Sequence, residues 1–317
     1  GLSSDLPMNW MCSFLDEYTL ISNSDAHSPE KLGRNGNIFN TEVSYSGIID
    51  ALKTGDSEKF LGTIDLFPQE GKYHYAGHRK CGVCYDPVQN LEYQGLCKKC
   101  GKPVTQGVME RVVELFDREH VEERPHRTPF YSVIPLKEMI SEIEGVGEKS
   151  KKVEQIYSSI IRDVGAPELD ILLEIPLEKI RKEAGEIYAE AIRRMREREV
   201  YISEGYDGEY GVIKVFVPEE DPKSFSDQNT LFGVVGKKVQ KKRPLLNFDL
   251  EAFHKLRVLD KESENVGAQD LVPEKKKDST ASKKLANKEK KVEVPKPGGH
   301  SSQAPQEDKP HIMIPPK

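Results

Sequence analysis

The chain has 317 residues, of which 32% are charged and 36% are hydrophobic, and its net charge at pH 7 is -6. This length accommodates two or three modest structural units, and the low hydrophobic content predicts that part of the chain does not pack into a core. No apolar stretch approaches the length of a membrane span and the first residues form no signal peptide, so we expect no membrane partner. Four of the five cysteines form two close pairs, and the remaining one, Cys12, is unpaired, which favours a reducing, cytoplasmic location.

The first 67 residues have the pattern of an α/β fold. Tyr18-Thr-Leu-Ile-Ser22 is a short apolar run with β propensity, and Phe60-Leu-Gly-Thr-Ile64 predicts another strand. Between them, residues 45–53 have the apolar periodicity of an amphipathic helix. We therefore predict an α/β domain over residues 1–67.

Helical periodicity dominates residues 106–218. Apolar stripes with helical spacing lie within residues 108–116, 153–164 and 177–195. Pro176 precedes the third stripe at a position suited to the first turn of a helix. The sequence therefore predicts three helices that bury one face each.

Two turns interrupt this helical region. Gly145-Val-Gly147, which lysines follow, resembles the turn of a helix-hairpin-helix, with the next helix starting near Ser150; a plain interhelical turn is the alternative. The runs 200–203 and 212–216 flank Gly205-Tyr-Asp-Gly-Glu-Tyr-Gly211 and predict a β-hairpin.

The last part of the chain has a different composition. Residues 260–317 contain no Phe, Trp or Tyr and are predicted to be disordered, because they bury too little apolar surface to offset the entropy of ordering. Residues 219–259 are predicted to be a linker with a basic patch. Within it, Gln228-Asn-Thr-Leu-Phe232 resembles a sliding-clamp-binding peptide, with Gln228 on a polar rim and Leu231 and Phe232 in an apolar pocket. A strand packed on the domain is the alternative.

Two close cysteine pairs carry the clearest chemical signal. Cys81-Gly-Val-Cys84 and Cys97-Lys-Lys-Cys100 are separated by twelve residues. Each pair presents two thiolates from one tight turn, so the two together predict a tetrahedral structural Zn²⁺ site in a module over residues 68–105. The rival interpretations are two disulfides or a redox dithiol. A site with four cysteine ligands has no open position, so this ion holds structure and does no chemistry.

The net charge of the chain is negative, which argues against a nucleic-acid partner, but the local charge around this module is positive. Residues 71–111 contain seven Lys or Arg against three acids, with four interleaved tyrosines. Cations beside aromatic rings favour phosphate and base binding, so we predict a DNA contact surface. Its candidate residues are Lys72, His74, His78 and Arg79. Ordinary solubilising lysines are the alternative, and the two histidines could also be extra metal ligands or structural residues.

Asp25-Ala-His27 is the second chemical signal. On an extended strand both side chains point to the same side, which makes a carboxylate–imidazole pair suited to a metal ion. The alternative is a purely structural role, in which the Asp caps the backbone beside a surface His. Asn23 shares this side and would either read a flipped base or support the metal ligands. Arg34 would contact a phosphate or form a surface salt bridge.

Longer stretches of the sequence resemble known families. Two of its regions are similar to the last part of a PHP-type phosphoesterase domain (polymerase and histidinol phosphatase class): Gly1-Leu-Ser-Ser-Asp5 and Leu20-Ile-Ser-Asn-Ser-Asp-Ala-His-Ser-Pro29 with the following Lys31-Leu-Gly-Arg34. Three more resemble the endonuclease Q family: Phe60–Ile64, Pro68-Gln-Glu-Gly-Lys-Tyr-His-Tyr-Ala-Gly-His-Arg-Lys-Cys-Gly-Val-Cys84 and Gly205–Gly211. The resemblance extends from residue 1 to about residue 217.

The resemblance implies a fold and an activity. It implies that residues 1–67 are the C-terminal part of a distorted β/α barrel, followed by a four-cysteine zinc module and a helical region. It implies a hydrolase that nicks double-stranded DNA on the 5′ side of hypoxanthine, uracil or an abasic site. Asp25 and His27 match the last metal-binding motif and would hold divalent ions (Zn²⁺, Mg²⁺ or Mn²⁺), and Cys81, Cys84, Cys97 and Cys100 match the zinc module.

The sequence departs from the family at its start. No His-x-His strand lies upstream of Asp25, so we expect this chain to lack the N-terminal half of the barrel and to be inactive by itself. The main hypothesis is a truncated metal-dependent DNA repair endonuclease. A non-catalytic zinc-ribbon DNA-binding module associated with the sliding clamp is the alternative. A phosphatase for a small phosphate monoester ranks third, because it would not need a basic zinc ribbon.

Overall fold

The computed structural model of the chain describes residues 3–225 and 244–258. The predicted clamp peptide, with Gln228, Leu231 and Phe232, and the predicted disordered tail both lie outside the described residues. Those two predictions therefore stay predictions.

The described residues form a mixed α/β fold, as the sequence predicts. The strands are β1 (Gly36–Phe39), β2 (Phe60–Leu66), β3 (Ala76–His78), β4 (Val83–Tyr85), β5 (Phe130–Val133), β6 (Tyr201–Ser203) and β7 (Val212–Lys214). The helices are α1 (Leu6–Trp10), α2 (Tyr45–Thr54), α3 (Pro87–Glu92), α4 (Val108–Leu115), α5 (Leu136–Glu144), α6 (Lys151–Val164), α7 (Glu168–Leu173), α8 (Leu177–Ala184) and α9 (Glu186–Arg196). Residues 250–258 are also helical.

A three-stranded sheet links the first α/β segment to the helical region. β2 pairs with β1 in the antiparallel sense and with β5 in the parallel sense. The segment with the two cysteine pairs, residues 68–105, lies between β2 and β5 in the sequence and forms part of their connection. Because β5 lies beyond the predicted domain boundary at residue 67, that boundary does not separate two independent sheets.

Helices α5–α9 pack on this sheet, and α6, α8 and α9 do so through the predicted apolar faces. Ile64 and Val133 from the sheet share one core with buried residues of α5–α9. The Ser150 hydroxyl accepts a hydrogen bond from the Val153 N–H (3.2 Å), which caps α6 at the predicted start. The third predicted helix is two helices in the structure. Gly185, with φ +106°, ends α8 and begins α9, a backbone conformation that favours glycine.

A second core joins the two ends of the described chain. Trp10 on α1 and Met109 on α4 pack with Leu246, Phe248 and Phe253. Residues 244–258 therefore belong to the folded body, which corrects the prediction of a linker over this part of residues 219–259. The reason is the spacing of these three apolar side chains, which lets one short segment fill a single apolar patch.

An ion-pair cluster fixes the segment after α1. The Asp16 carboxylate pairs with Arg118 and Arg124, whose side chains are nearly buried. Arg118 also donates to the Trp10 carbonyl (2.8 Å), and Arg124 donates to the carbonyls of Leu15 and Tyr18. We refer to Asp16, Arg118 and Arg124 as the Asp16 cluster. Within the parts of the chain that the structure describes, no helix has the length and apolar character needed to cross a membrane.

Candidate metal centre and nucleic-acid surface

The cysteines are presented by a short hairpin. β3 and β4 pair in the antiparallel sense, with Gly77 opposite Cys84 and His78 opposite Val83. A single 3₁₀ turn (Arg79–Cys81) and Gly82 (φ +60°) join the two strands. This turn brings Cys81 beside His78 at the end of the hairpin.

Three of the four predicted cysteines come together with a histidine. The ligand atoms of His78, Cys81, Cys97 and Cys100 all lie within 4.8 Å of one another. The Cys100 Sγ is 3.3 Å from the His78 Nδ1. The predicted ligand set therefore differs in one member, because His78 takes the position that the sequence assigns to Cys84. We call these four residues the Cys₃His cluster.

Strand geometry explains why Cys84 is absent from the cluster. Side chains alternate along a strand, and both Val83 and Tyr85 pack into the small core that contains Cys97. Cys84 points to the other side, where it packs on the second core. Burial there, together with the nearby Glu204, raises the pKa of the Cys84 thiol to about 12.

The Cys₃His cluster has the donors that a structural metal site requires. Burial raises the pKa of Cys97, but hydrogen bonds from His78 and from the backbone N–H groups of Lys99 and Cys100 outweigh it and lower that pKa to about 6. The hydrogen bond with Cys100 is the largest cause that raises the pKa of Cys81 to about 11. At neutral pH Cys97 is therefore largely a thiolate, whereas Cys81 keeps its proton and would lose it when an ion binds. This donor set fits a four-coordinate structural ion.

Asp25 and His27 lie side by side in solvent. The His27 Nδ1 is 3.9 Å from the Asp25 Oδ2, and the two side chains are 83% and 77% exposed. The same Nδ1 lies 2.7 Å from the Asp25 carbonyl oxygen, which requires a proton on Nδ1 and leaves Nε2 free as a ligand. Among the described residues, the group of three or more His, Cys, Asp or Glu with metal-binding geometry is the Cys₃His cluster. Asp25 and His27 therefore have no third such ligand there.

The segment that carries this pair is not a strand, which corrects one expectation. Residues 19–27 have no regular secondary structure. The Asn37 side chain pairs with the Ser22 backbone in place of a strand partner: its Oδ1 accepts from the Ser22 N–H (2.9 Å) and its Nδ2 donates to the Ser22 carbonyl (2.7 Å). The same amide also donates to the Asn23 Oδ1 (3.3 Å), and the buried Asn35 donates to the Ser22 hydroxyl (3.1 Å). These contacts hold the segment against the edge of β1.

The remaining predicted DNA contacts divide into exposed and enclosed residues. Lys72 and Arg79 are exposed. His74 is 2% exposed, and burial lowers its pKa to about 4, so its neutral ring is not available to a DNA strand in this structure. Arg34 forms ion pairs with Glu138 (2.9 Å) and Glu148 (3.4 Å), which is the salt-bridge alternative.

The loop between β6 and β7 belongs to the same surface, and sequence reasoning gave it no role there. Asp207 accepts hydrogen bonds from the Arg79 N–H (2.7 Å) and the Thr105 hydroxyl (2.6 Å). A Cβ on Gly205 would lie 2.2 Å from the Gly71 carbonyl oxygen, so only glycine permits this approach. Gly205 and Gly211, at the two ends of the predicted hairpin loop, are the sequence signal that this loop docks on another backbone.

One family model and two uncharacterized proteins are similar to this chain in sequence. The family model described as the MJ0043 C-terminal domain matches residues 135–199. The uncharacterized protein MJ0043 of Methanocaldococcus jannaschii is 35% identical over 227 residues, which cover 69% of this chain and 28% of that protein. The uncharacterized protein YqxK of Bacillus subtilis is 31% identical over 217 residues, which cover 68% of this chain and 51% of that protein.

Two solved structures are similar over most of the chain. The lesion-specific endonuclease PfuEndoQ from Pyrococcus furiosus matches with a TM-score of 0.61 and 32% identity, over 70% of this chain and 55% of its own. Endonuclease Q in complex with a 27-mer duplex that has an abasic lesion at the active site matches with a TM-score of 0.59 and 32% identity, over 72% and 57%. The resemblance to endonuclease Q that the sequence predicts is confirmed. The chain spans about half or less of the length of the curated relatives that it matches.

Proposed function

We propose that this chain is the DNA-contacting part of a metal-dependent, lesion-specific DNA endonuclease. The observation that carries the proposal is the structural match to endonuclease Q, which covers 70% and 72% of this chain in the two solved structures. The exposed Asp25–His27 pair and the exposed cations beside the Cys₃His cluster support it independently.

Asp25 and His27 are the proposed ligands of the catalytic divalent ions, Zn²⁺, Mg²⁺ or Mn²⁺. Such an ion, when bound, supplies an activated water and neutralises the phosphate under attack. The chain's own contribution is the placement of the two ligands. Asn37 holds the segment through Ser22, and the hydrogen bond of the His27 Nδ1 leaves Nε2 as the ring nitrogen available to an ion. Because two ligands hold such an ion weakly, we propose that the described residues do not nick DNA by themselves.

The Cys₃His cluster is the proposed site of a structural Zn²⁺. Cys₃His is a ligand set that zinc uses in closed structural sites. An ion bound there would fix the end of the β3–β4 hairpin against the Cys97–Cys100 turn. Arg79 lies in the 3₁₀ turn Arg79–Cys81 of the hairpin, next to His78 and in the same turn as Cys81, so an ion there would also fix its backbone.

We propose that the substrate is duplex DNA with a deaminated or abasic nucleotide, nicked on the 5′ side of the lesion. Extruding a nucleotide from the helix costs a few kcal/mol and costs least where pairing is already lost. An enzyme that works on an extruded nucleotide therefore prefers hypoxanthine, uracil and abasic sites to normal pairs.

Nicking assays on the native protein that carries these residues test the proposal. Duplexes with uracil, hypoxanthine or an abasic site are incubated with Mg²⁺, Mn²⁺ or Zn²⁺, and the 5′ nick is mapped. We expect nicking that Asp25→Ala and His27→Ala abolish, while Glu58→Ala, a change at another exposed carboxylate, leaves it intact. Nicking that survives Asp25→Ala, or an absence of nicking on all three duplexes, contradicts the proposal.

A non-catalytic DNA-binding module is the second candidate. The observation in its favour is that Asp25 and His27 lack a third ligand among the described residues. In this case DNA binding persists, no metal restores nicking, and the sequence 228–232 docks on a sliding clamp. Unchanged clamp affinity after Leu231→Ala with Phe232→Ala would remove the clamp from this candidate.

A further inference from the structure

Two exposed tyrosines lie where the β6–β7 loop docks on the metal module, Tyr210 in the loop and Tyr73 in the module. Tyr210 is 70% exposed and Tyr73 is 52% exposed. The Lys72 Nζ lies 4.4 Å from the centroid of the Tyr210 ring. A large aromatic ring in water is a cost unless a partner covers it, and a cation over its face adds positive potential at the same place.

The loop is mounted rigidly. The Gly208 N–H donates to the Lys72 carbonyl (3.0 Å), and the Tyr75 N–H donates to the Gly205 carbonyl (3.0 Å). The ring of Tyr206 covers Gly77 so closely that a Cβ there would lie 2.4 Å from it. The two exposed tyrosines therefore lie on a backbone that two hydrogen bonds and one ring contact fix, unlike side chains on a free loop tip.

A second cation, Arg79, lies near Tyr73. A Cβ built on Gly208 would be 3.7 Å from both the Arg79 Nη1 and the Tyr73 Oη, so these two groups converge above that glycine. The Arg79 Nε is 3.3 Å from the Glu209 Oε1, an exposed pair that water screens. Among the described residues, no carboxylate lies within ion-pairing distance of Lys72.

Exposure alone does not single out these residues. Tyr45 is 82% exposed on α2 and Tyr18 is 62% exposed, and within the described part of the chain neither ring carries a cation. What distinguishes Tyr73 and Tyr210 is the combination of open rings, adjacent cations and a fixed backbone. This combination is the chemistry that binds single-stranded nucleic acid, where rings stack on bases and cations meet the flanking phosphates.

We propose that Tyr73 and Tyr210 form a stacking platform for an unpaired base of lesion DNA, with Lys72 and Arg79 on the phosphates beside it. This proposal rests on the proposed function and names the part of the surface that takes the base left without a partner opposite an abasic site. Bases inside an intact duplex are already stacked on their neighbours, so the platform discriminates in favour of DNA with a broken pair. Stacking of one base on an aromatic ring contributes about 5- to 150-fold in affinity.

Fluorescence of 2-aminopurine tests the platform. The probe is placed opposite an abasic site in a short duplex, and its quenching and the affinity are measured for this chain. We expect the wild-type chain to quench the probe. Tyr73→Ala and Tyr210→Ala should lose this quenching and bind the duplex at least about 5-fold more weakly than the wild type. Tyr210→Phe, which keeps the ring, should retain the quenching. Tyr45→Ala is the matched control, since it removes a more exposed tyrosine without an adjacent cation.

Two results would overturn the proposal, and only the second would also contradict the proposed function. If Tyr73→Ala and Tyr210→Ala quench and bind as the wild type does, while the wild type prefers the abasic duplex, the platform is wrong and the proposed function stands. If the wild type binds abasic and intact duplexes equally, both are wrong. Metal content and far-ultraviolet circular dichroism of each variant show that a loss of binding is not a loss of fold.

Discussion

Substitutions in the Cys₃His cluster separate the ligand set in the structure from the one that cysteine spacing predicts. His78→Ala removes a ligand in the structure, whereas Cys84→Ala removes a thiol on the opposite side of β4. We expect His78→Ala to weaken metal binding and Cys84→Ala to leave it nearly unchanged. Cys97→Ala, which removes a ligand in both accounts, is the positive control.

The size of the effect follows from linkage between binding and folding. An ion present at about 1,000 times its dissociation constant stabilises the folded state by about 4.1 kcal/mol. Replacing a residue that merely supports a metal ligand weakens metal affinity by up to about 100-fold, and we take this value for the loss of His78. The ion then stabilises the folded state by about 1.4 kcal/mol, so about 2.7 kcal/mol of stabilisation is lost. At about 2–4 °C per kcal/mol, the Tm falls by about 5–11 °C. Cys84→Ala costs about 1 kcal/mol of packing.

Two measurements on each variant decide between the ligand sets. Metal content after dialysis gives the stoichiometry, and thermal unfolding with and without a chelator gives the stabilisation that the ion provides. We expect the chelator to lower the Tm of the wild type and of Cys84→Ala by similar amounts and to change His78→Ala much less. Loss of metal from Cys84→Ala together with full retention in His78→Ala would refute the assignment of His78.

Three further substitutions test the packing around the site. Asp16→Asn removes the carboxylate that forms the ion pairs with both arginines of the Asp16 cluster and is expected to lower the free energy of unfolding by about 3–5 kcal/mol in denaturant titrations; less than about 1 kcal/mol would contradict this. Burial lowers the pKa of His74 to about 4, so the unfolded chain binds a proton there more readily than the folded chain does. The contribution of His74 to the free energy of unfolding is therefore complete above pH 6.5 and is lost as pH falls toward 4. The wild type should therefore gain about 3 kcal/mol relative to His74→Gln between these pH values, and a constant difference would contradict it. Gly77→Ala places a methyl group 2.4 Å from the Tyr206 ring, and hydrogen exchange of the Tyr75 amide should accelerate as the loop dislodges; unchanged protection would contradict the docking.

Local features of the fold could be predicted from the sequence. The stripes at 108–116 and 153–164 gave the helices α4 and α6, and Ser150 caps α6 where the sequence places its start. Tyr201–Ser203 and Val212–Lys214 pair as the predicted hairpin. In each case the signal lies within a few residues of the structure that it specifies. The break at Gly185 was missed because apolar spacing continues across it, while the backbone conformation does not.

Long-range features could not be predicted, because they depend on register and on partners far along the chain. β5 joins the sheet through parallel pairing with β2, across a connection of more than sixty residues that no local pattern encodes. The choice of His78 over Cys84 depends on which strand face each residue occupies in the β3–β4 hairpin. Cysteine spacing gives the type of site but does not give the strand face.

The candidate catalytic pair shows the same division. Asp25 and His27 are two residues apart, so their proximity could be predicted from the sequence alone. The support that holds them, Asn37 on the Ser22 backbone, is a side chain that acts as a strand partner. Its identity as an anchor depends on β1 running alongside residue 22, which only the three-dimensional structure provides.

The affinity of this chain for lesion DNA tests the central claim most directly. Anisotropy titrations compare one labelled duplex with and without an abasic site, at one fixed salt concentration, because electrostatic binding varies steeply with salt. We expect binding to the abasic duplex to be about 10-fold tighter or more, since the cost of breaking a base pair is already met there. Equal dissociation constants for the two duplexes would show that the chain does not recognise lesions.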